Sequence, residues 1–518
     1  MKHYPPRLPD RRGEERNMDR FDELFKKLQN GSDVRGIAIE TEQEALNLTP
    51  EIAAEIARGF AGWLSARTGK SVSSLKIGVG HDSRLTAEPL KRGVFAGLIA
   101  ADLYDCGLVS TPAMFLSTVL AESCFDGAVM ITASHLPFNR NGLKFFTKDG
   151  GLEKAEITDI LQRAAISGVP AETGFTTAAK PFDLVGAYSG HLMKLIKKEV
   201  GAADYDHPLR GLHIVEDAGN GAAGFFASRI LEALGADTEG SVFLEPDGTF
   251  PNHVPNPENP AAMEAMKRAV LDARADLGVI FDCDGDRAAV VFSDGTEVNR
   301  NALIALMAAI LAEKHPGCTI VTDSVTSDEL TVFLTKELGL KHLRFKRGYK
   351  NVIDKGIELN RAGEDCELAM ETSGHGALKE NYFSDDGAYL CVKIIVQMAK
   401  LRARGRQIEE MISALGSPAE AKEIRYRIAG EDFRDYAAKV LEDFRAFAEA
   451  DSRFHIVAPN YEGIRISFDD EEVKGWMLLR MSLHDPVMPM NLEAERKGGT
   501  DVILRRIEPF FRKQTRLS

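Results

Sequence analysis

Short apolar and β-branched runs alternate with stretches of helical periodicity along most of the chain. The clearest runs are each followed by a loop of small and polar residues, and they are Lys76–Gly80, Gly127–Ile131, Leu212–Glu216 and Thr319–Thr322. Strands that alternate with helices are typical of α/β units, so the recurrence predicts several related α/β modules. The proline-rich run Pro251–Pro257 is predicted to be extended, because a residue that precedes proline avoids helical backbone angles.

The pattern changes in the last hundred or so residues. An amphipathic helix is predicted over Glu431–Ala450 and a second helix over Asp501–Arg512. Short strands are predicted at Gly463–Ser467 and Trp476–Arg480. This mixture of strands and helices predicts a smaller α+β domain at the C-terminus.

Size and composition indicate a multidomain globular protein. A chain of 518 residues is too long to fold around a single hydrophobic core. At about 150 residues per domain, this length predicts three or four domains. Hydrophobic residues make up 44% and charged residues 27%, the ordinary balance of a soluble protein.

Charge and cysteine usage indicate which kinds of partner and which cellular compartment to expect. The net charge of −14 and the absence of a basic stripe argue against a nucleic-acid partner. No run of about 18 apolar residues occurs, so no membrane partner is expected. The six cysteines form no CxxC pair, which favours reduced thiols in a cytoplasmic protein. The first 29 residues lack a secretory signal and are predicted to form a flexible tail.

The segment Asp282–Arg287 carries the strongest chemical signal. It follows the apolar run Leu277–Phe281, so its three carboxylates lie at a strand end, where α/β sheets place ligands. Three clustered oxygen donors repel one another unless a hard cation lies among them, and Mg²⁺ suits carboxylates combined with a phosphoryl oxygen. The alternative is a solvated acidic turn without an ion.

A second polar loop, Thr132–Gly142, also leaves a predicted buried strand. Ser134 has His135 beside it and Lys144 ten residues on. A serine at a strand end can be a nucleophile or a phosphate carrier, whereas the alternative is a Ser/Thr cap in a turn. No Gly-x-Ser-x-Gly elbow surrounds it, which argues against an α/β-hydrolase.

A third loop, Glu371–Gly376, follows another apolar stretch. Glu371, Ser373 and His375 occupy alternate positions, so in an extended loop they would share a face. A carboxylate beside a hydroxyl suits the hydroxyls of a sugar. A purely structural loop is the alternative.

Together these motifs resemble the α-D-phosphohexomutase family, which includes phosphoglucomutase/phosphomannomutase, phosphoglucosamine mutase and phosphoacetylglucosamine mutase. Thr132–His135, Asp282–Arg287 and Glu371–His375 have the family's order and rough spacing. Pro246–Glu258 and Ser32–Gly36 are also similar to family segments. The resemblance covers roughly residues 30–515.

The resemblance implies three related mixed α/β domains plus a smaller C-terminal α+β domain around a central cleft. The implied domain boundaries follow four roles. Residues 30–185 would carry the phosphoserine and residues 186–298 would bind the metal. Residues 299–415 would bind the sugar and residues 416–518 would bind the phosphate.

The resemblance also implies roles for individual residues. Ser134 would carry the phosphoryl group, and with Asp282, Asp284 and Asp286 it would bind one Mg²⁺ per chain. The residues that contact the phosphoryl group or transfer protons would be Arg35, His135, Lys144 and Arg287. The remaining substrate-binding residues would be Gly348, Tyr349, Lys350, Glu371, Ser373, His375, Arg480, Ser482 and His484.

The chain departs from the family pattern in several places. Leu136 replaces an asparagine beside the serine, and Cys283 replaces glycine or proline in the metal loop. Arg347–Lys350 stands where the family has a loop that differs with substrate. The C-terminal phosphate loop, Arg480–Pro486, keeps an arginine and a serine, but Pro489 stands where a later arginine is expected. A phosphate site with fewer donors would bind more weakly.

The expected activity is that of a phosphohexomutase. It would interconvert the 1-phosphate and 6-phosphate of a hexose through a bisphosphorylated sugar that acts as intermediate and activator. The phosphoglucomutase/phosphomannomutase type is favoured, and phosphoglucosamine mutase is the alternative within the class. The rival from another class is a non-catalytic protein that binds sugar phosphates. A monomer or homodimer is expected.

Overall fold

The computed structural model describes residues 19–167, 179–430, 432–482 and 485–518. The chain forms two compact units. The first contains the described residues up to Glu297 together with Asp386–Val392. The second contains Val298–Asp385 and the described part of Lys393–Ser518. Among the described residues, no helix combines the length and the apolar character that a membrane crossing requires.

The first unit begins with an eight-stranded sheet. Its strands are β1 (Gln29–Asn30), β2 (Asp33–Ile37), β3 (Lys76–His81), β4 (Asp102–Leu108), β5 (Gly127–Ile131), β6 (Arg140–Thr147), β7 (Gly150–Gly151) and β8 (Lys180–Pro181). They lie in the order β1-β2-β6-β5-β3-β4-β8, with β7 beside β6. Strand β3 is parallel to β4 and β5, whereas β5 and β6 form an antiparallel hairpin. The carboxyl ends of β3 and β5 therefore open at one edge.

The second sheet of this unit has four strands. They are β9 (Ile214–Asp217), β10 (Leu277–Phe281), β11 (Ala288–Phe292) and β12 (Glu297–Val298), in the order β12-β11-β10-β9. Every residue of β10 and β11 is buried, which explains their unbroken apolar sequences. The helices up to this point, after a short helical segment at Phe21–Leu28, are α1 (Pro50–Thr68), α2 (Ala87–Gly97), α3 (Thr111–Leu116), α4 (Lys154–Ser167), α5 (Leu184–Val200) and α6 (Pro260–Ala273).

The second unit contains two five-stranded sheets. The first has β13 (Thr319–Thr322), β14 (Lys341–Arg344), β15 (Cys366–Met370), β16 (Gly376–Leu378) and β17 (Ser384–Asp385), in the order β14-β13-β15-β16-β17. The second has β18 (Glu420–Arg427), β19 (His455–Ile456), β20 (Ile464–Asp469), β21 (Lys474–Leu479) and β22 (Val487–Ala494), in the order β18-β22-β21-β20-β19. The remaining helices are α7 (Arg300–Ala312), α8 (Asp328–Val332), α9 (Tyr349–Arg361), α10 (Gly387–Arg402), α11 (Phe433–Glu449) and α12 (Gly499–Phe511).

The predicted fold class of three mixed α/β domains followed by an α+β domain is confirmed. Strands β5, β10 and β13 have the predicted limits. The run predicted at Leu212–Glu216 begins two residues later, because Leu212 donates its N–H to Leu209 in a turn. The run Pro251–Pro257 lies outside the helices and strands, in agreement with its prolines.

Candidate active site

The serine loop joins β5 to β6, and its backbone is unusual at the serine itself. Ser134 has a φ of +50°, a left-handed conformation that costs a non-glycine residue about 1–2 kcal/mol. Its N–H donates to the Thr132 hydroxyl at 2.8 Å, which helps to hold this turn. The side chain of Ser134 is thereby aimed from a fixed turn at the end of a buried strand.

The metal loop, Asp282–Arg287, joins the antiparallel pair β10 and β11. Gly285 adopts a φ of +71°, which permits the tight reversal. The Arg287 N–H donates to Asp282 Oδ1 at 3.2 Å. One carboxylate oxygen from each of Asp282, Asp284 and Asp286 lies within 4.8 Å of the others, and all three residues are buried. The loop thus concentrates negative charge at a single point.

The serine loop and the metal loop meet. The Ser134 hydroxyl donates to Asp282 Oδ2 at 3.1 Å and lies 3.3 Å from His135 Nδ1. Arg287 Nη2 donates to Ser134 Oγ at 3.4 Å and to His135 Nδ1 at 2.7 Å. A carboxylate, a guanidinium and an imidazole therefore surround the same hydroxyl oxygen.

Lys144 neutralises part of the carboxylate cluster. Its ammonium, on β6, donates to Asp284 at 2.9 Å and to Asp286 at 2.6 Å. Burial alone would lower the pKa of Lys144, but the two carboxylates hold it well above its usual value. The Lys144 side chain is therefore charged throughout the physiological range.

The cluster also fits a hard cation. Asp284 Oδ2 accepts from the Thr111 hydroxyl at 2.5 Å as well as from Lys144, whereas Asp284 Oδ1 is buried without a hydrogen-bond partner among the described residues. A buried carboxylate oxygen without a donor is costly, and three convergent carboxylates are typical ligands of Mg²⁺ or Ca²⁺.

Arg35 lies on β2, beside the start of the serine loop. Its guanidinium donates to the backbone carbonyl of Thr132 and to Asp33 Oδ2, the latter at 2.9 Å. The structure thus brings Ser134, His135, Lys144 and Arg287 together at the acidic cluster and places Arg35 against the backbone of the loop.

The loop predicted to bind sugar hydroxyls forms a second, compact site in the other unit. It joins the antiparallel strands β15 and β16. Glu371 Oε1 accepts the Gly348 N–H at 2.6 Å, and His375 Nδ1 lies 3.0 Å from the Ser373 hydroxyl and 3.5 Å from Glu371 Oε2. Burial opposes ionisation of Glu371, but His375 and the Gly348 N–H lower its pKa below the usual value. Glu371 is thus held as a carboxylate.

Two other predicted residues border this loop. The Tyr349 ring lies 5.5 Å from the His375 ring, centre to centre. Lys350 Nζ donates to Asp354 on its own helix at 2.6 Å. Gly348, Tyr349, Glu371, Ser373 and His375 are therefore grouped.

The predicted phosphate loop is partly described. Arg480 is 5% exposed, and its Nε has no hydrogen-bond partner among the described residues. Burial lowers the pKa of Arg480. Ser482 Oγ accepts the Asp485 N–H at 3.3 Å. His484 lies outside the described residues.

Sequence reasoning missed several residues that shape the two sites. Asp82 and Arg84 follow β3 at the edge where the serine loop lies, and Thr111 contacts Asp284. In the second unit, fully buried Asp323 accepts from the Thr372 hydroxyl at 2.7 Å, and burial raises its pKa to about 7. An Asp-x-Arg sequence directly after a buried strand was the available signal for the first pair.

Comparisons with known proteins find similar sequences that cover most of the chain. Models described as phosphoglucomutase/phosphomannomutase, alpha/beta/alpha domains I, II and III match residues 26–167, 190–295 and 299–417. A phosphomannomutase/phosphoglucomutase of Pseudomonas aeruginosa is 29% identical over 485 residues, which cover 93% of this chain and 94% of that protein. One from Pseudomonas syringae is 30% identical over 484 residues, with coverages of 92% and 93%.

A solved structure is also similar. A phosphoglucomutase/phosphomannomutase family protein from Burkholderia thailandensis superposes with a TM-score of 0.72 at 26% identity, and the match covers 95% of this chain and 97% of that one.

Proposed function

The chain belongs to the α-D-phosphohexomutase family, and we propose from that premise that Ser134 transfers a phosphoryl group to and from a hexose phosphate. The family's members are isomerases that move a phosphoryl group within one sugar. The observation that carries the proposal is the position of the Ser134 hydroxyl, within 3.4 Å of Asp282, His135 and Arg287.

The reaction balances as two opposite transfers. A sugar hydroxyl attacks the phosphorus on Ser134, the phosphorus–Oγ bond breaks, and the hydroxyl proton passes to Ser134 Oγ, from which it returns to the sugar oxygen in the second transfer. The resulting bisphosphorylated sugar then returns its other phosphoryl group to Ser134, which regenerates the phosphoenzyme. The 1-phosphate and the 6-phosphate are thereby interconverted without net gain or loss of phosphate.

The residues around Ser134 suit this chemistry because phosphoryl transfer depends mainly on positioning and on stabilising charge. Arg287 places a guanidinium at the serine oxygen, where it can hold a phosphoryl oxygen. His135 Nδ1, 3.3 Å from Ser134 Oγ, is close enough to exchange a proton there. Lys144 holds the adjacent carboxylates in place.

Asp282, Asp284 and Asp286 would bind Mg²⁺. Their convergence and the unpartnered oxygen of Asp284 support this assignment. When bound, the cation supplies positive charge that stabilises the oxygens of the transferring phosphoryl group.

In the second unit, Glu371 and Ser373 would bind sugar hydroxyls, and Gly348, Tyr349, Lys350 and His375 would border the sugar. Arg480 and Ser482 would contact the substrate's other phosphate. Buried Arg480, whose Nε has no hydrogen-bond partner in the described part of the chain, has donor capacity left for an anion. His484 remains part of this proposal from its place in the motif.

The names of the relatives favour glucose and mannose phosphates as substrates. Glucosamine phosphate is the second candidate within the class. A high KM for these substrates is expected, since the diverged phosphate loop offers fewer donors.

The decisive experiment combines intact mass with turnover. The purified protein should carry a phosphoryl group that phosphatase removes and that a hexose bisphosphate restores. It should convert glucose 1-phosphate, mannose 1-phosphate or glucosamine 1-phosphate when a trace of bisphosphate is present.

Ser134→Ala tests the assignment of the carrier. This variant should lose the added mass and several orders of magnitude of turnover, because the covalent route is removed. Ser123→Ala is the matched control, since Ser123 is a buried serine of the same unit that lies outside the site. A Ser134→Ala variant with near wild-type turnover would reject the assignment. A wild-type protein that binds sugar phosphates but never turns them over would favour the non-catalytic alternative.

A further inference from the structure

Arg84 makes an unusual set of contacts with the loop that carries Ser134. Its Nη2 donates to the carbonyls of Ser134 and Leu136, and its Nη1 donates to those of Pro137 and Arg140 at 2.8 and 2.9 Å. Arg84 is only 2% exposed. One planar guanidinium thus gathers four backbone carbonyls of a single loop, which a flexible point charge such as lysine cannot reproduce.

The other sides of the guanidinium are also fixed. Arg84 Nε lies 3.4 Å from Asp82 Oδ2, and neither side chain is exposed. Phe250 packs its ring 5.3 Å from the guanidinium carbon, a cation–π arrangement that favours one orientation. Gly248 packs directly against the backbone at Ser83, because a Cβ at position 248 would be 2.5 Å from the Ser83 carbonyl oxygen.

These contacts explain a segment to which the proposed chemistry gives no role. The segment Pro246–Phe250 stands out in the sequence, yet none of its residues lies among the groups around Ser134. It instead packs against Ser83–Leu85 and places the Phe250 ring against Arg84.

The same carboxylate that pairs with Arg84 also contacts the metal loop. The Cys283 thiol donates to Asp82 Oδ2 at 3.3 Å, and Cys283 is completely buried. Asp82 therefore links Arg84, and through it the serine loop, to the segment that carries the three carboxylates.

We propose that Arg84 is a positioning residue, which, supported by Phe250 and Asp82, holds the Ser134 loop in the left-handed turn that aims the serine at the metal loop. Arg84 itself does not contact the reacting atoms. This inference rests on the proposed function of Ser134. The carbonyl oxygens of the loop would repel one another if they converged without a donor, and the guanidinium supplies that donor.

The test uses the full chain and Arg84→Lys, with Arg92→Lys as the matched control because Arg92 is exposed on α2. We expect kcat to fall about 100-fold, since small misplacements of a reacting group have effects of that size. The KM for the sugar phosphate should stay within about 3-fold, because the sugar is bound by other residues.

Hydrogen exchange provides a readout that does not require Ser134 to carry phosphate. In Arg84→Lys, the amides of residues 132–140 should exchange faster, while those of α1 and β10 should exchange as in the wild type. A general loss of packing would accelerate all of these segments together.

The results of these experiments distinguish the positioning role of Arg84 from the proposed function of Ser134. A kcat within about 3-fold of wild type, with unchanged exchange in residues 132–140, would overturn the positioning role. Faster exchange in that loop in a protein whose Ser134 never accepts phosphate would instead reject the proposed function alone. If Arg84→Lys does not fold, Phe250→Leu is the second variant. It should show the same pattern at smaller amplitude, and wild-type kcat and exchange in a folded Phe250→Leu protein would reject the inference.

Discussion

At the scale of single residues, the acidic cluster depends on a balance of charges. Asp282, Asp284 and Asp286 lie within 4.8 Å of one another, and Lys144 is paired with two of them. The Arg287 guanidinium also lies 3.6 Å from Asp282 Oδ2. One ammonium and one guanidinium do not neutralise three carboxylates, so the cluster retains one negative charge that a divalent cation would compensate.

We therefore expect Asp284→Asn to weaken Mg²⁺ binding. The substitution removes one charge at nearly constant shape, and the Mg²⁺ affinity should fall by at least about 10-fold. Turnover should fall with it, and the stabilisation of the protein by Mg²⁺ in a thermal melt should require a correspondingly higher Mg²⁺ concentration.

Asp365→Asn is the control for this experiment. Asp365 belongs to a second group of possible ligands among the described residues, with His315 and Glu367, but there Lys379 donates to both carboxylates at 2.7 Å. That variant should respond to Mg²⁺ like the wild type. Full turnover of the wild type in excess EDTA would contradict a metal role for the cluster.

Glu371 offers a second prediction at this scale. Glu371→Gln keeps the size of the side chain but weakens acceptance of hydrogen bonds from sugar hydroxyls and from the Gly348 N–H. We expect kcat/KM to fall by a factor that corresponds to about 1–3 kcal/mol of activation free energy. Glu358→Gln, on the exposed side of α9, is the control. Unchanged rates and an unchanged ranking of glucose, mannose and glucosamine phosphates would argue against contact with the sugar.

The grouping of site residues was predictable only where a motif is contiguous. The metal loop and the serine loop each follow a buried strand, so each was expected to place polar groups at a strand end. Their meeting was not predictable from strand order, because β5 and β10 belong to different sheets. The contacts of Arg84 were not predictable, because they join residues about fifty positions apart through backbone carbonyls, which leave no pattern in the sequence. Asp323 was missed for a similar reason, since its partner Thr372 lies 49 positions away.

At the scale of elements, helix packing in the first unit depends on close backbone approach. Helix α1 packs against α2 and α4. A Cβ at Gly93 of α2 would lie 2.1 Å from the Pro50 carbonyl oxygen at the start of α1. Backbone atoms cannot move aside as a flexible side chain can, so only glycine allows this approach.

Gly93→Ala should therefore destabilise the first unit by about 1–3 kcal/mol, the usual effect of overpacking. The matched control is Gly62→Ala in α1, where the nearest atom, of Arg163, would be 4.0 Å from the new Cβ. That variant should be neutral or more stable by about 0.5–1 kcal/mol, since alanine favours helix. Urea midpoints would measure both effects, and equal midpoints would contradict the packing argument.

The fully buried strands β5, β10 and β13 were predicted to the residue, whereas the ends of β20, β21 and α12 differ from their predicted positions by one or two residues. Buried runs such as Gly127–Ile131 have abrupt polar boundaries, so their limits follow from the sequence. Helix α11 ends one residue before the predicted end, because helix ends depend on local backbone geometry. Its predicted first residue, Glu431, lies outside the described residues. The pairing of β18 with β22 joins segments about seventy residues apart and has no local signal.

At the scale of the whole molecule, composition and alternating pattern were sufficient for the fold class. The sequence did not indicate that Asp386–Val392 belongs to the first unit. Most of this segment is the start of α10, which continues into the second unit, and the helical sequence shows no break where the units divide. The predicted domain boundaries remain a prediction.

Overall stability should also depend on pH through a buried acid that the proposed chemistry does not use. Glu216, on β9, is fully buried, and its Oε1 has no hydrogen-bond partner among the described residues, although Oε2 accepts the Ala227 N–H at 2.6 Å. Burial, with the nearby Asp217, raises the pKa of Glu216 well above its usual 4.5.

The sign of the effect follows from proton binding. Above pH 4.5 the unfolded chain releases the Glu216 proton, whereas the folded protein retains it up to the raised pKa. Folding therefore binds a proton in this range, and stability falls as pH rises, by at most about 1.4 kcal/mol per pH unit. Glu216→Gln is neutral at every pH and should remove this slope. Urea unfolding at pH 5 and pH 8 should show similar midpoints for the two proteins at pH 5 and a higher midpoint for the variant at pH 8. Parallel pH dependences in the two proteins would show that Glu216 ionises as readily in the folded state as in the unfolded chain.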